Sequence, residues 1–280
     1  MSMTPSNQRI VSKLKRSSIV SLIKKGLRVD GRKLDEYREI TVIPNYISKA
    51  EGSAYAKIGG TLVIAGLKVG IGTPYPDMPN SGVITVNAEF VPFASPTFEP
   101  GPPDENAIEL ARVIDRSIRE LHVIDLEKLA VVPGEKVYIL WLDIYVFDHD
   151  GNLLDTSMLA AITTLLSARI PKAVVKENGR IVELDKKVRE QLPIMNKVVT
   201  VSVGKVNDKF IVDPNIDEEQ VLDCRLAVSL SEDGKIAGMQ KMGSGTFTTE
   251  EVIEAVKLAK KASKTLFSKI NEALKKIEEQ

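Results

Sequence analysis

Apolar side chains recur along the chain at two periods, and these periods divide it into successive strands and helices. Runs rich in β-branched residues, apolar at alternate positions or throughout, are typical of strands. In the first half they predict strands at residues 40–48, 53–58, 61–69, 83–92 and 137–147, the last of them buried. Apolar residues three and four positions apart predict amphipathic helices at 106–121 and 156–170. Pro171 is expected to close this first unit.

The second half repeats the pattern in reduced form. Short apolar runs predict strands at residues 197–203, 209–212, 222–230 and 235–240. Thr248, with Glu251 three positions later, has the spacing of a capping box and predicts the start of one long C-terminal helix. Turn dipeptides predict hairpins at Gly59-Gly60, Asn178-Gly179, Asn207-Asp208 and Asp233-Gly234. The predicted fold class is therefore α+β, with two sheet-and-helix units.

These elements predict an organisation in four parts. The four parts are an N-terminal amphipathic helix at 1–27, a first domain at 28–171, a polar connector at 172–195 and a second domain at 196–280. The N-terminal helix is expected to end at Gly26 and to pack the apolar side chains of Ile10, Val11, Leu14, Ile19, Leu22 and Ile23. Seven basic residues and no acidic one precede Asp30, which is also typical of an organellar transit peptide. We favour the packed helix, and hence a cytoplasmic protein.

Composition narrows the function classes. Lys plus Arg and Asp plus Glu both number 38 in the 280 residues, so any nucleic-acid site must be a local patch rather than a basic surface. The single cysteine, Cys224, excludes an internal disulfide, and two histidines make a His-ligated metal site improbable. No run approaches 18 uninterrupted apolar residues, so no transmembrane helix is predicted.

The loop before the second helix has the outline of an anion site. The strand at 137–147 breaks at Asp148–Asn152, and residues 152–155 lead into a helix. The free N–H groups at the N-terminus of this helix and the helix dipole favour an anion. The composition of this loop argues the other way, because Leu154 is apolar and the carboxylate of Asp155 repels an anion. The outline of a phosphate site is present without a cation to hold the phosphate.

The first helix carries the candidate nucleic-acid contacts. Arg112, Arg116 and Arg119 stand at i, i+4 and i+7 and therefore share a face. Three guanidinium groups in a row suit a phosphate backbone. Glu109, Asp115 and Glu120 lie within pairing distance, so a solvated ion-pair face explains the stripe equally well.

Three motifs resemble the ribonuclease PH family, and within it the non-catalytic chains of archaeal exosome cores. Residues 27–32 read Leu-Arg-Val-Asp-Gly-Arg, like the Arg-x-Asp-Gly-Arg motif of the exosome branch, and 109–119 resemble the family segment Glu-Ile-Gln-Arg-Leu-Ile-x-Arg-x-Leu-Arg. The family's phosphate loop reads Asp-Gly-Gly-Thr-Arg-Thr-Ala. Aligned on Asp150-Gly151, its arginine falls at Leu154 or Asp155. The resemblance spans residues 28–270 and implies a member that has lost its phosphate site.

This resemblance implies a fold and a set of partners. The fold is the duplicated ribonuclease PH-like fold, similar to domain 2 of ribosomal protein S5. The chain would alternate with a catalytic homologue in a hetero-hexameric ring. The ring would carry RNA-binding cap subunits and act on single-stranded RNA. The complex would use inorganic phosphate and magnesium for 3′-to-5′ RNA degradation and 3′ tailing, with neither bound by this chain. Arg112 and Arg116 become the expected RNA contacts, and Arg119 contacts either RNA or the partner.

Other candidate residues receive structural interpretations. Asp217 and Asp223 keep the spacing of the catalytic aspartate pair of active relatives, and we interpret them as a remnant or a plain loop. His122 is expected to cap its helix, His149 to lie in a turn and Cys224 to lie in the core. Residues 95–105 contain no Lys or Arg, unlike active members, so the chain is not expected to hold RNA alone. The alternatives are a self-sufficient phosphorolytic exoribonuclease and, disfavoured by few stacking aromatics, a simple RNA-binding module.

Overall fold

The first half of the chain forms one six-stranded sheet in a computed structural model that describes residues 13–176 and 181–278. The strand order is β1-β2-β3-β6-β4, with β5 paired to β6. All neighbours are antiparallel except β4, which runs parallel to β6. The strands are β1 (Ile40–Pro44), β2 (Gly52–Ile58), β3 (Thr61–Gly72), β4 (Val83–Phe90), β5 (Ala130–Val132) and β6 (Lys136–Asp148).

The second half forms a four-stranded antiparallel sheet of order β10-β9-β11-β12, and a separate hairpin joins the two halves. The hairpin strands are β7 (Arg169–Lys176) and β8 (Ile181–Gln191), and the sheet strands are β9 (Val198–Val206), β10 (Lys209–Val212), β11 (Cys224–Ser231) and β12 (Ile236–Met242). The α-helices are α1 (Lys13–Lys24), α2 (Glu105–Glu120), α3 (Leu153–Ser167), α4 (Ile216–Glu219) and α5 (Thr249–Glu278). Single 3₁₀ turns lie at Pro92–Ala94 and Glu127–Leu129.

Helices α2 and α3 lie between the two sheets. Helix α3 packs on β2 and β3 on one side and on β9 on the other, and α2 bridges β4 and β12 in the same way. The core between these layers is apolar, with Leu142 of β6, Met158 of α3 and Val201 of β9 fully buried. Helix α5 covers the strands of the second sheet and reaches β1. The duplicated sheet-and-helix fold predicted from the sequence is therefore confirmed.

Local signals in the sequence are confirmed at most turns and caps. Ile58 pairs with Thr61 across Gly59-Gly60, and Val206 pairs with Lys209 across Asn207-Asp208. The Thr248 N–H donates to Glu251 Oε2 at 2.8 Å, and the Glu251 N–H donates back to Thr248 Oγ1 at 3.3 Å, which completes the capping box of α5. The dipeptide Asn178-Gly179 lies outside the described residues. In residues 13–176 and 181–278, no helix is both long and apolar enough to cross a membrane.

The helix predicted at 156–170 was placed wrongly. Helix α3 begins at Leu153 and ends at Ser167, because Ala168 is extended and the Arg169 N–H donates to Glu51 O at 2.8 Å, starting β7. Pro171 lies inside β7, a strand of the two-stranded hairpin where a missing N–H is tolerated, so the strand continues past it to Lys176. The predicted polar connector at 172–195 is mostly this hairpin, whose strands pair from Arg169↔Gln191 to Lys176↔Ile181.

The strand predicted as buried, at 137–147, is buried on one side only. Leu140, Leu142 and Ile144 of β6 point into the core, whereas Trp141 is 38% and Tyr145 37% exposed. The sequence pattern misled because both faces of β6 are apolar, although the helices cover only one face of the sheet.

Helix α1 docks on the second domain through fewer residues than predicted. Ile19 and Ile23 are buried against a small cluster from β9, β10 and the α4 region. Leu14 is 83% exposed, contrary to expectation, and Ile10 and Val11 lie outside the described residues. The helix ends at Gly26 as predicted: Gly26 has φ +77° and the Leu27 N–H donates to Leu22 O at 3.0 Å.

The segment after α1 ties the two domains together through buried ion pairs. Arg28 and Glu218 are fully buried, and the Arg28 Nε–H donates to Glu218 Oε1 at 2.8 Å. The Arg28 Nη1–H donates to Val212 O, also at 2.8 Å. Arg32 and Arg38 both donate to the carboxylate of Asp213. We call residues 28–38 the arginine segment; its motif anchors the first domain to the turn before α4.

We predict that Glu218→Gln costs about 3–5 kcal/mol of unfolding free energy, because it leaves the buried charge of Arg28 unpaired. Glutamine keeps the volume and can still accept from the Asn215 N–H, so the cap of α4 is retained. Asp217→Asn is the matched control: its ion pair with Lys15 is solvent-exposed, and its loss costs about 1 kcal/mol or less. Urea denaturation measures both. Equal effects of the two variants would contradict the prediction.

Candidate nucleic-acid interface and anion-binding loop

Helix α2 presents two of its three arginines to solvent. Arg112 is exposed and has no ion pair with any residue in the described part of the chain. The side chain of Arg116 is 78% exposed, and its Nε lies 3.9 Å from Glu120 Oε1, at the limit of an ion pair. The apolar face of α2, including Leu110 and Ile114, points into the core. Arg112 and Arg116 are thus exposed one helical turn apart on the same helix.

Arg119, the third of these arginines, is engaged by other groups of the chain. Its Nε–H donates to Asp115 Oδ1 at 2.8 Å, and its Nη2–H donates to the backbone carbonyl of Ile84. Ile84 belongs to β4, the edge strand of the first sheet. Arg119 therefore satisfies one backbone carbonyl at the edge of the sheet. The sequence put all three arginines on one face and carried no signal that one of them reaches a carbonyl 35 residues away.

The segment before α2 is held by aromatic stacking and by a helix cap. Phe98 stacks on Phe90 with ring centroids 4.8 Å apart, and on the imidazole of His149 at 5.4 Å. Asp104 caps α2, accepting from the Ala107 N–H at 2.8 Å. The acidic residue Asp104 is thus used for folding, and the segment supplies no cation for RNA.

The loop with the outline of an anion site is closed against the second domain. Gly151 has φ +84°, and a Cβ there would come within 2.5 Å of the backbone of Asn215 and Ile216. The Ile216 N–H donates to Asp150 O at 3.1 Å. Asn152, with φ +56°, precedes the first residue of α3 and makes no side-chain cap. The close backbone approach at Gly151 leaves no room for a ligand between the loop and the second domain.

Neither residue that stands where the family arginine is expected faces an open site. The side chain of Leu154 is buried in the core. Asp155 is fully buried and accepts from Tyr37 Oη at 2.8 Å, Asn152 Nδ2 at 3.0 Å and the Ser202 N–H at 2.9 Å. Burial raises the pKa of Asp155 to about 6, against the opposing effect of these hydrogen bonds. Asp155 joins the arginine segment, the loop and β9.

A carboxylate of the chain itself occupies the start of α3. The Asn152 N–H donates to Glu219 Oε1 at 3.0 Å, and the same oxygen accepts from Arg225 Nη1 at 2.7 Å. A helix N-terminus and a guanidinium group are the usual partners of a bound anion. Sequence reasoning missed Glu219, Arg38 and Asp213, because contacts between distant segments leave no mark in local spacing.

Asp217 and Asp223 each have a structural partner. Asp217 Oδ1 pairs with Lys15 Nζ of α1 at 2.7 Å. Asp223 Oδ2 accepts from the Asn207 N–H in the β9–β10 turn. Among the described residues, no group of three or more His, Cys, Asp or Glu side chains could hold a metal ion.

The histidines and the cysteine lie where the sequence placed them. His122 has φ +47° and its N–H donates to Arg119 O at 2.9 Å, which closes the C-terminus of α2. His149 Nδ1 accepts from the Gly151 N–H in the turn after β6. Cys224 is buried in β11, and burial raises the pKa of its thiol.

Comparison with known proteins gives full-length matches. The model of the 3′ exoribonuclease family, domain 1, matches residues 36–171, and that of domain 2 matches residues 196–262. The chain is 48% identical to the exosome complex component Rrp42 of Aeropyrum pernix, over 98% of this chain and 100% of that protein. It is 47% identical to exosome complex component Rrp42 of Thermococcus onnurineus, over 96% and 98%.

Two of the solved structures with the same fold are of archaeal exosomes. A chain of the Archaeoglobus fulgidus exosome with RNA bound to the active site has a TM-score of 0.83 and 44% identity, with 91% of this chain and 97% of that chain covered. A chain of an archaeal exosome core has a TM-score of 0.80 and 40% identity, with 92% and 96% covered. Rice Rrp46, at 20% identity and a TM-score of 0.67, shares the fold.

We predict that Asp155 makes stability depend on pH. Its pKa is raised from the ordinary 3.8 to about 6 in the folded chain, so the folded state holds the proton more tightly. This contribution to the free energy of unfolding therefore grows as pH falls through 6 and is lost as pH rises. From pH 7.5 to pH 5, wild type should gain about 1.4 kcal/mol relative to Asp155→Asn, which cannot titrate.

Urea denaturation of both proteins at several pH values measures this difference, in which the titration of all other groups cancels. A difference that stays constant with pH, or that shrinks on acidification, would contradict the raised pKa.

Proposed function

This chain belongs to the 3′ exoribonuclease family, and from that premise we propose that it is a non-catalytic, RNA-contacting subunit of an exosome core ring. It alternates with a catalytic homologue in a hetero-hexamer that carries RNA-binding cap subunits. The ring degrades single-stranded RNA from the 3′ end with inorganic phosphate, and adds 3′ tails in the reverse reaction. Full-length similarity to chains named as exosome components, and to a chain of an exosome with RNA at its active site, supports this assignment.

The observation that supports a non-catalytic role is that a carboxylate of this chain lies at the start of α3. Glu219 accepts from the Asn152 N–H and from Arg225. A phosphate ion there would meet the charge of Glu219 directly and that of the buried Asp155 one turn into the helix. Since like charges at close range repel each other in a partly buried site, the loop excludes the attacking phosphate.

The division of labour follows from the same geometry. We assign the phosphate clamp, the catalytic acid and any magnesium ion to the homologue, because Asp217 and Asp223 here are engaged by Lys15 and the Asn207 N–H. This chain contributes Arg112 and Arg116. Both side chains are exposed, and the ion pair of Arg116 with Glu120 is long. We place this complex in the cytoplasm.

We predict that the purified chain alone releases no nucleoside diphosphates from RNA, with or without phosphate. Co-expressed with its homologue, it forms an active complex. In that complex Asp217→Asn and Asp223→Asn should keep the rate within a few-fold of wild type, whereas loss of a true general acid costs ~10²-fold or more. Chromatography of the reaction products measures both. Phosphate-dependent activity of the chain alone would instead identify it as a self-sufficient exoribonuclease.

We also predict that Arg116→Ala weakens RNA binding by the complex. Losing one phosphate contact to single-stranded RNA should lower the slope of log affinity against log salt by roughly 0.7, with little change in sequence preference. Stability should change by about 0.5 kcal/mol or less, since the ion pair lost is the long one to Glu120. Salt-dependent binding and thermal unfolding of the same complex measure both quantities.

Arg119→Ala is the matched control on the same helix. It removes the hydrogen bond to Ile84 O and should cost about 1 kcal/mol of stability while leaving the salt slope unchanged. If the salt slope is unchanged in Arg116→Ala as well, Arg116 does not contact RNA.

A further inference from the structure

The hairpin of β7 and β8 contains a bulge that presents two lysines to solvent. The pairing shifts between Pro171 and Lys172, so that one step along β7 corresponds to four steps along β8. The three residues of β8 that this shift leaves without a partner on β7 are Lys186, Lys187 and Val188. All three side chains are exposed. Bulges of this kind re-aim side chains away from the regular pleat of the strand.

The bulge is held in a defined shape by the residue that precedes it. Asp185 Oδ1 accepts from the backbone N–H of Lys187 at 2.9 Å. An aspartate that bonds the backbone two residues further on forms a local turn and fixes the chain between the two positions. The lysine side chains therefore leave the hairpin from a fixed backbone, which lowers the entropy lost when they bind a ligand.

Two arginines stand beside the bulge on one face of the hairpin. Arg169 pairs with Gln191, and Arg189 precedes Gln191 by two positions on the same strand. Directly paired residues, and residues two apart on a strand, point to the same side, so Arg169 and Arg189 are diagonal neighbours about 7–8 Å apart. Both are exposed, whereas Ile170 points inward and is buried. We call Arg169, Lys186, Lys187 and Arg189 the hairpin cations.

The hairpin cations differ from the other basic residues of the hairpin in their pairing. Lys172 pairs with Glu190 at 3.0 Å, and Lys176 pairs with Glu183 at 2.6 Å. None of the four hairpin cations has an ion pair with a residue in the ranges 13–176 and 181–278. The chain as a whole has zero net charge, so this cluster is the kind of local basic patch that a nucleic-acid site requires.

The base of the hairpin adjoins the C-terminal end of α2. Ile194 forms a β-bridge with Ile124, four residues after α2 ends at Glu120. Ile194 follows Arg189 by five residues, which is no more than about 18 Å of extended chain. The hairpin cations thus lie on the element next to the helix that carries Arg116.

We propose that the hairpin cations are a second contact site for the sugar-phosphate backbone of single-stranded RNA, an extension that rests on the proposed function. Guanidinium and ammonium groups without ion pairs are available to phosphates, and their binding releases counterions from the RNA. A protein partner fits less well, because lysine is depleted and aromatic residues are enriched at protein interfaces. The hairpin cations include two lysines, and the large apolar residue of the bulge is Val188, which is not aromatic.

The test measures the affinity of the complex with the homologue for a fluorescent oligoadenylate at several salt concentrations, without inorganic phosphate. The double variant Lys186→Gln/Lys187→Gln should lower the magnitude of the slope of log affinity against log salt by roughly 1.4, at about 0.7 for each lost phosphate contact. Lys275→Gln/Lys276→Gln is the matched control, because it removes two adjacent exposed lysines from α5. The control should leave the slope unchanged.

A second double variant tests the arginines independently of the bulge. Arg169→Gln/Arg189→Gln should also lower the magnitude of the slope by roughly 1.4. An oligouridylate should give the same changes as the oligoadenylate in both double variants, since phosphates carry no base information. Circular dichroism reports the fold of each variant, and native mass spectrometry reports its assembly with the homologue.

A wild-type salt slope in both folded and assembled double variants of the hairpin would overturn the inference while leaving the proposed function standing. An equal fall of the slope in the α5 control would also overturn it, because the effect would then follow from net charge rather than from the hairpin. So would a loss of assembly with the homologue while the slope of the remaining complex is unchanged, which would make the hairpin a protein contact. If the wild-type chains do not assemble, or their complex binds no RNA, the proposed function itself fails and the inference with it.

Discussion

The buried carboxylate of Asp213 is the point on which the two domains depend. It is fully buried, and it accepts from Arg38 Nη2 at 2.8 Å, Arg32 Nη1 at 3.0 Å and Asn152 Nδ2 at 2.8 Å. Burial alone would raise the pKa of Asp213, but the hydrogen bonds and positive charge of Arg38 lower it below its usual value. Asp213 stays ionised, and it fixes the arginine segment, the loop before α3 and the turn before α4 in one arrangement.

That arrangement has a consequence for binding. The same contacts hold Gly151 close to the backbone of Asn215 and Ile216 and place Glu219 at the start of α3. The features that attract an anion, a helix N-terminus and nearby guanidinium groups, are thereby satisfied within the chain. The rigid junction and the proposed exclusion of phosphate have one physical cause, namely carboxylates of the second domain placed against the arginines and amides of the first.

Sequence patterns predicted the local features well. The capping box of Thr248, the hairpin at Gly59-Gly60 and the helix end at Gly26 depend only on neighbouring residues, and the structure confirms each. The identity of Leu154 and Asp155 is a local property, whereas the guanidinium groups of Arg38 and Arg225 reach this loop from distant segments that the sequence pattern did not indicate.

Features that depend on distant partners could not be predicted. Helix α3 stops at Ser167 because the following residues pair with β8, and Trp141 is exposed because the helices pack on one side of its strand. Arg119 differs from Arg116 through its hydrogen bond to a carbonyl on β4 and its close ion pair with Asp115. The contacts of Asp213 and Glu219 join segments far apart in the sequence, so no spacing rule reveals them.

The central claim is that this chain's anion position is filled by its own carboxylate. The most direct measurement is the number of phosphate ions bound by the assembled complex, obtained by calorimetric titration with inorganic phosphate at constant ionic strength. One phosphate per pair of unlike chains is the expected result, since we assign the phosphate site to the homologue. Two phosphates per pair would place a working phosphate site in this chain and contradict the claim.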